Sequence, residues 1–394
     1  MKINIYTRME LRPVIIRRDK KNFIVEDEYS GEFYEMPSPA IDAIKMINQG
    51  YPLVDIELQL RAEYPNEDIN ILDFVNQLIG LGLVSKVDGE EISIQIDKKE
   101  NLGFTWIPAW VGKMAFNRGS YILFGLLFLL NIFYFIVKPD LFPNYKDYFV
   151  FSWMSLNVLL WIAIGMTLLI IHEIGHVLAM RSNDLPTRLS IGHRLMFLVL
   201  ETNMEGAWKL PSGKRNVLYL GGLCFDMTIL AIALSTQYFY PKAPELLLAI
   251  MRIVVIDIFI RFIFQCGVYM KTDLYYMIEN ISGSYNLMEN AHHYIKSFFK
   301  KEARKAGETA YEDEKRTIKW YSVIYFLGVI LTIMVFAFYS VPQIIMTMSR
   351  SIERLGSPIF SQPFFDGSIV LIQTLTGLSL LLYSWNKKYR LKKE

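Results

Sequence analysis

His172, Glu173, Ile174, Gly175 and His176 place three ionisable groups within five residues, inside one of the most apolar runs of the chain. Two histidines four apart on a helix project about 40° from each other, so both imidazoles reach a single metal ion. The glutamate beside them is positioned to take a proton from water that the metal activates. Such a cluster in an apolar helix is costly without a metal or a water-filled cavity. The competing explanation is a pair of core histidines bonded to neighbouring helices. A catalytic zinc needs a third protein ligand and one open position. His193, His292 and His293 lie in polar stretches, whereas Asp273 closes a later apolar run at the depth of His172 and His176. On position alone, Asp273 reads equally well as a third ligand or as an interfacial helix-end residue.

The elements that must hold these groups are apolar. The chain has 394 residues, 53% of them hydrophobic and 14% aromatic, with a mean hydropathy of +0.26. Its net charge of +2 gives no basis for a nucleic-acid partner. Cys224 and Cys266 sit in apolar segments and read as small buried residues, not as a disulfide framework or a metal motif. Spans are expected at roughly 119–138, 155–180, 215–238, 247–270, 320–346 and 368–386, each near the ~20 residues that cross a bilayer. Lys and Arg gather between the second and third spans, after the fourth, and in the tail "NKKYRLKKE". The positive-inside rule therefore puts both termini in the cytoplasm. The start lacks the apolar stretch of a signal peptide. His172, about 17 residues into a helix that starts near Ser155, falls roughly 25 Å across a ~30 Å apolar layer, close to its cytoplasmic face.

Two further segments bear on the site. Asp257, Arg261 and Gln265 form a stripe spaced by four on the fourth span, with Arg252 on the same helix; Asp257 and Arg261 are expected to pair inside the bundle, a direct substrate role being the other reading. Within 186–211, the apolar run 195–200 is too short to span a bilayer and suits a strand; a plain amphipathic loop is the other reading. Residues 98–118 carry Trp106, Trp110, Phe116, Lys113 and Arg118 and read as an interfacial linker.

Before the membrane segments, "RPVIIRR", "NFIVEDE" and "GEFYEMP" predict short strands. Helices are predicted over "SPAIDAIKMINQG", with Ser38 as N-cap and Gly50 as stop, over "PLVDIELQLRAEYP", ending before Pro65, and over "INILDFVNQLIGLGLV". "EEISIQID" predicts a closing strand. The fold class expected is a multi-pass α-helical membrane protein of about six spans with an N-terminal α+β soluble domain.

The HExxH motif near the end of one span, with an Asp after a later one, resembles the site-2-protease family of intramembrane zinc metalloproteases. "KTDLYY" is similar to the LDGYY variant of that family's Asp motif, found in the branch linked to bacterial peptide maturation and export. "AWKLPSGKRNVLYLGGLCFD" resembles the branch's AWxLP…R…AGPxxN segment, and "SGSYNLMENAHHYIKSFFKK" the segment after its Asp. The resemblance covers roughly 115–330. It implies that His172, His176 and Asp273 hold Zn2+, that Glu173 is the general base, and that strands within 186–211 hold substrate in extended form. The chain departs from the family at Leu274, where a glycine is usual, at Leu223 for proline and at Asp226 for asparagine. None of these is expected to touch the ligand set.

The hairpin, three helices and "GLGLV" of the N-terminal region resemble the winged-helix family of pyrroloquinoline-quinone-biosynthesis protein D. Its members bind leader peptides of ribosomally made, modified peptides as an added strand. A winged-helix domain with another task, DNA binding included, is the alternative; the acidic "IVEDEYSGEFYE" argues against a phosphate partner.

Together these imply a peptide-recognition domain over 1–97, a linker over 98–118 and a metalloprotease core over 119–290. A cytoplasmic amphipathic segment over 291–319 and two further spans with a basic tail over 320–394 complete the chain. The expected activity is a zinc metalloendopeptidase of the cell membrane that cleaves a precursor peptide, with a peptide-modifying enzyme or exporter as further partners. The rival expectations are regulated intramembrane proteolysis of a signalling protein, and a non-hydrolytic peptide-binding export or scaffold component.

Overall fold

The computed structural model describes residues 3–92, 103–194, 197–284, 286–299 and 315–390. The chain forms two compact units, Met1–Leu102 with Glu205–Gly213, and Gly103–Met204 with Lys214–Glu394.

In the first unit, β1 (Met9–Leu11), β2 (Val14–Asp19), β3 (Asn22–Asp27) and β4 (Phe33–Met36) precede α1 (Ser38–Asn48), α2 (Leu53–Glu63) and α3 (Ile71–Gly80). β5 (Val84–Val87) and β6 (Glu90–Glu91) follow. β2, β3 and β4 form an antiparallel sheet in that order, with Val14 opposite Asp27 and Phe23 opposite Met36; β1, β5 and β6 form a second sheet. Val25, Ile41, Ile44, Leu53, Ile56, Val75, Leu78 and Val84 make one buried core. Each such side chain contributes about 1.5–3 kcal/mol by leaving water.

Ser38 does not cap α1. It is the first helical residue, and Pro37 stands at the cap without a side-chain bond. The fixed φ of Pro37 and of Pro39 in the first turn sets the entry instead. Asn70 does cap α3, accepting from the Asp73 amide at 3.1 Å. Only Glu90–Glu91 of the expected closing strand is a strand among the described residues; 93–97 lie outside them.

The first unit also takes in Glu205–Gly213, which the sequence placed with the membrane core. Lys209 explains why. Its ammonium meets Glu26 at 2.9 Å, and its carbonyl accepts from Arg17 at 2.7 Å, while Arg17 itself meets Glu26 at 3.1 Å.

The second unit is helical: α4 (Ala109–Ala115), α5 (Arg118–Val137), α6 (Met154–Ser182), α7 (Ser212–Tyr219, most of it in this unit), α8 (Gly221–Phe239) and α9 (Glu245–Gln265). α10 (Asp273–Ser282), α11 (Leu287–Phe299), α12 (Lys315–Val335), α13 (Val341–Leu355) and α14 (Gln362–Arg390) complete it. A hairpin of β7 (Leu189–Arg194) and β8 (Phe197–Thr202) follows α6. Among the described residues, five helical stretches are long and apolar enough to cross a membrane: Ala109–Val137, Met154–Ser182, Gly221–Phe239, Lys315–Leu355 and Gln362–Asn386. Their outer faces are apolar too. On α5, Ile122, Leu126, Leu129 and Ile136 are all more than half exposed, an exterior consistent with a multi-pass membrane protein.

α9, expected as the fourth of six spans, is not among those five. Its 21 residues include Glu245, Arg252, Asp257 and Arg261, yet Ile253, Val255, Ile256 and Ile258 on it are buried in the bundle. The stretch expected as the fifth span is also longer than expected, running 41 residues from Lys315 through a π-turn at Phe336–Ser340 to Leu355.

α6 is the central strut. Its start has no side-chain cap of its own, so Asp366 of α14 supplies one from across the bundle. The Asp366 carboxylate accepts from the amides of Met154 and Ser155, both at 2.9 Å, and pairs with Arg354. Near its other end α6 is crossed closely by α4 and α8. A Cβ on Gly112 would stand 2.4 Å from the Ser182 amide, and one on Gly175 would stand 2.4 Å from the Gly221 carbonyl. Glycine at both crossings lets the backbones touch, which larger residues would prevent.

Candidate metal centre

Gly175 and Gly221 fix how α8 meets the His172–His176 turn, and the side chains follow from that crossing. Asp226 lies four residues after Gly222 on α8, and its Oδ2 accepts from His172 Nδ1 at 2.7 Å. The last turn of α7 presents the Leu218 carbonyl to His176 Nδ1 at 2.9 Å. A carbonyl can only accept, so His176 carries its proton on Nδ1; the carboxylate sets the same tautomer for His172. Both Nε2 atoms therefore turn bare lone pairs toward one point.

Asp273, the first residue of α10, completes that point. Its Oδ2 lies 3.1 Å from His172 Nε2 and 3.4 Å from His176 Nε2, and the two Nε2 atoms are 3.2 Å apart. Gln265 at the end of α9 grips Asp273 twice, donating to Oδ2 at 2.6 Å and accepting from its amide at 3.0 Å.

Three donors around a tetrahedral ion at ~2.1 Å lie roughly 3.4 Å from one another. The observed triangle of 3.1, 3.2 and 3.4 Å has that size. Three electron-rich atoms this close, all buried, demand a cation or protons between them. The donor set of two imidazoles and one carboxylate fits Zn2+ with one position left open. Among the described residues, His172, His176 and Asp273 are the one group of His, Cys, Asp and Glu close enough to share an ion.

Comparison with known proteins returns no family model, curated protein or solved structure that matches the chain.

Glu173 is buried beside the triangle, and its Oε2 accepts from Thr202 Oγ1 at 2.7 Å. Thr202 ends β8, and Val199 and Leu200 of the same strand line a cavity of about 360 Å³ with His172, Glu173 and Asp273. Among the described residues β8 pairs with β7 alone, so its second edge carries no strand. Of the strand read into 195–200, residues 197–200 belong to β8, one arm of a hairpin, and 195–196 lie outside the described residues.

The other expected residues fall elsewhere. His292 and His293 are exposed on α11, outside the triangle, and the His193 side chain lies outside the described set. Asp257 and Arg261 do pair, at 2.8 Å, and Gln265 holds the third candidate ligand. Cys224 and Cys266 are free and half-buried.

Asp226 is a correction. Expected not to touch the ligand set, it bonds directly to His172. Its signal was available: a lone carboxylate within an apolar span, one turn after a Gly-Gly pair, requires a buried partner. Thr202 and the Leu218 carbonyl gave no such signal, because a threonine at a strand end and a main-chain oxygen look alike everywhere in a sequence.

Proposed function

We propose that this protein is an intramembrane zinc metalloprotease that cleaves a ribosomally made precursor peptide, with its N-terminal domain binding the leader. The reading is supported above all by the triangle of bare donors with Glu173 beside it. A site that only stored metal would have no use for a buried carboxylate held off the ligand set by its own hydrogen bond. A zinc ion held by His172, His176 and Asp273 supplies Lewis acidity, polarising a carbonyl and acidifying water.

The chain's own groups do the rest. Asp226 and the Leu218 carbonyl fix the imidazole tautomers and Gln265 fixes the carboxylate, so the ligand geometry exists before substrate arrives. Thr202 aims Glu173 into the cavity. Glu173 takes a proton from the attacking water as its oxygen bonds to the scissile carbon, and later gives that proton to the departing amine nitrogen as the C–N bond breaks. The unpaired edge of β8 receives the substrate as an added strand, which exposes one peptide bond to the centre. Counting α9 as a sixth crossing puts both termini in the cytoplasm of a cell membrane, in line with the Lys and Arg distribution. The sheet of β2, β3 and β4 offers strand edges on which a leader could be added in the same way.

The test is co-expression of the full chain, or its Glu173→Gln form, with a candidate precursor peptide, followed by mass spectrometry. Wild type should yield a new pair of fragments, and Glu173→Gln none, although both carry metal. An intact precursor with metal-loaded wild type would refute the peptidase reading.

A further inference from the structure

Among the described residues that line the cavity, Arg261 is the strong donor that the chemistry above leaves unused. It lines the same space as His172, Glu173 and Asp273. Its Nη2 donates to Asp257 Oδ2 at 2.8 Å and points to the Gly165 carbonyl at 3.5 Å. Its Nη1 is buried and has no acceptor. A guanidinium cannot shed its proton, so a buried N–H without a partner stays costly until something accepts from it.

The charge around Arg261 says what that something is. Asp257 already neutralises the guanidinium, and both side chains are less than one-fifth exposed. A carboxylate brought to Nη1 would leave the group net negative in a space that also holds Glu173 and Asp273. A neutral acceptor adds no charge and still satisfies the N–H.

A substrate cut in extended form supplies such acceptors. Unwinding a helix in apolar surroundings frees its carbonyls, and each must find a new donor. Pairing with β8 satisfies one edge of the added strand. The carbonyls that point the other way still need donors, and α9 forms part of the cavity wall. Arg261 precedes Gln265, the residue that holds Asp273, by one helical turn, or ~6 Å along α9. Extended chain covers ~3.3 Å per residue, so the matching carbonyl lies about two residues from the scissile bond.

We infer that Arg261 is a substrate-binding residue whose free N–H receives a main-chain carbonyl of the unwound peptide, about two residues from the bond cut. This rests on the protease reading, and the experiment separates the two. The probes are short apolar peptides bearing a metal-binding hydroxamate at either end, with each carbonyl in turn replaced by methylene. Binding is measured to the full, zinc-loaded chain and to an Asp257→Leu/Arg261→Met double variant, which removes the ion pair without stranding a charge. Metal content and melting temperature are checked in both, and Arg261→Lys serves if the double variant does not fold.

One replacement, about two residues from the hydroxamate, should weaken binding to wild type by about 10- to 100-fold and leave the variant nearly unaffected. Equal losses in both proteins would overturn the inference. If no hydroxamate binds the zinc-loaded wild type, the protease reading fails and this one with it.

Discussion

His172 offers one nitrogen to the ligand triangle because Asp226 occupies the other. That makes it a chemical matter that position 226 holds an aspartate and not an asparagine. A carboxylate behind an imidazole raises its basicity and locks its orientation, and losing such a partner typically weakens metal binding 10- to 100-fold. Asp226→Asn keeps an acceptor but not the charge, so zinc affinity, read by competition with a chelator, should fall about tenfold. Asp226→Leu should cost nearer a hundredfold. Equal affinity in all three proteins would mean that Asp226 only fills space. Depth counted along the chain left Asp273 open between ligand and helix-end residue until the family resemblance favoured it, whereas His172 and His176 were legible in the sequence because helical spacing of four is a local rule. The partners behind them were not, since Asp226 lies 54 positions from His172 and meets it only through the crossing of two helices.

At the scale of elements, that crossing depends on absent side chains. A Cβ on Gly222 would stand 2.4 Å from His172 Nε2, the atom that faces the triangle. Gly222→Ala should therefore lose most bound metal while the helices stay folded. Gly213→Ala, where nothing lies within 4 Å, should leave metal content unchanged. Retention of full metal by Gly222→Ala would show that α6 and α8 slide apart freely. The other end of α6 depends on a distant carboxylate. Replacing Asp366 by alanine removes the acceptors for two helix-start amides and the carboxylate that Arg354 pairs with, leaving Arg354 with the Ser152 carbonyl. Roughly 2–4 kcal/mol of stability should go with it, seen as a lower melting temperature in detergent. An unchanged melting point would mean that water caps α6 equally well. Hydropathy located most helices, but α9 shows its limit. A helix packed inside a bundle can carry an ion pair such as Asp257–Arg261, because its neighbours and not lipid cover that pair, while Glu245 and Arg252 on the same helix stay exposed.

For the whole molecule, the sequence suggested a recognition domain placed ahead of a membrane core, with the boundary near 97. In the structure the first unit also claims Glu205–Gly213, held by Lys209 to Arg17 and Glu26. No hydropathy shift marks that segment; only the ion pairs reveal it. Along the chain, Thr202, which holds Glu173, comes three residues before Glu205. If the first unit captures a leader, it contributes by raising the local concentration of the attached cleavage site, which reaches about millimolar for a short tether. Tethering of this kind affects encounter and not the chemical step. A precursor stripped of its leader should thus show KM raised by about 100-fold or more, with kcat unchanged within a factor of about two. Adding free leader in trans should not restore the lower KM, because an untethered peptide brings no cleavage site with it. Restoration of turnover by free leader, or a fall in kcat without it, would instead mean that the occupied domain acts on the catalytic groups, and the short stretch from Thr202 to Glu205 would be the first place to seek the coupling.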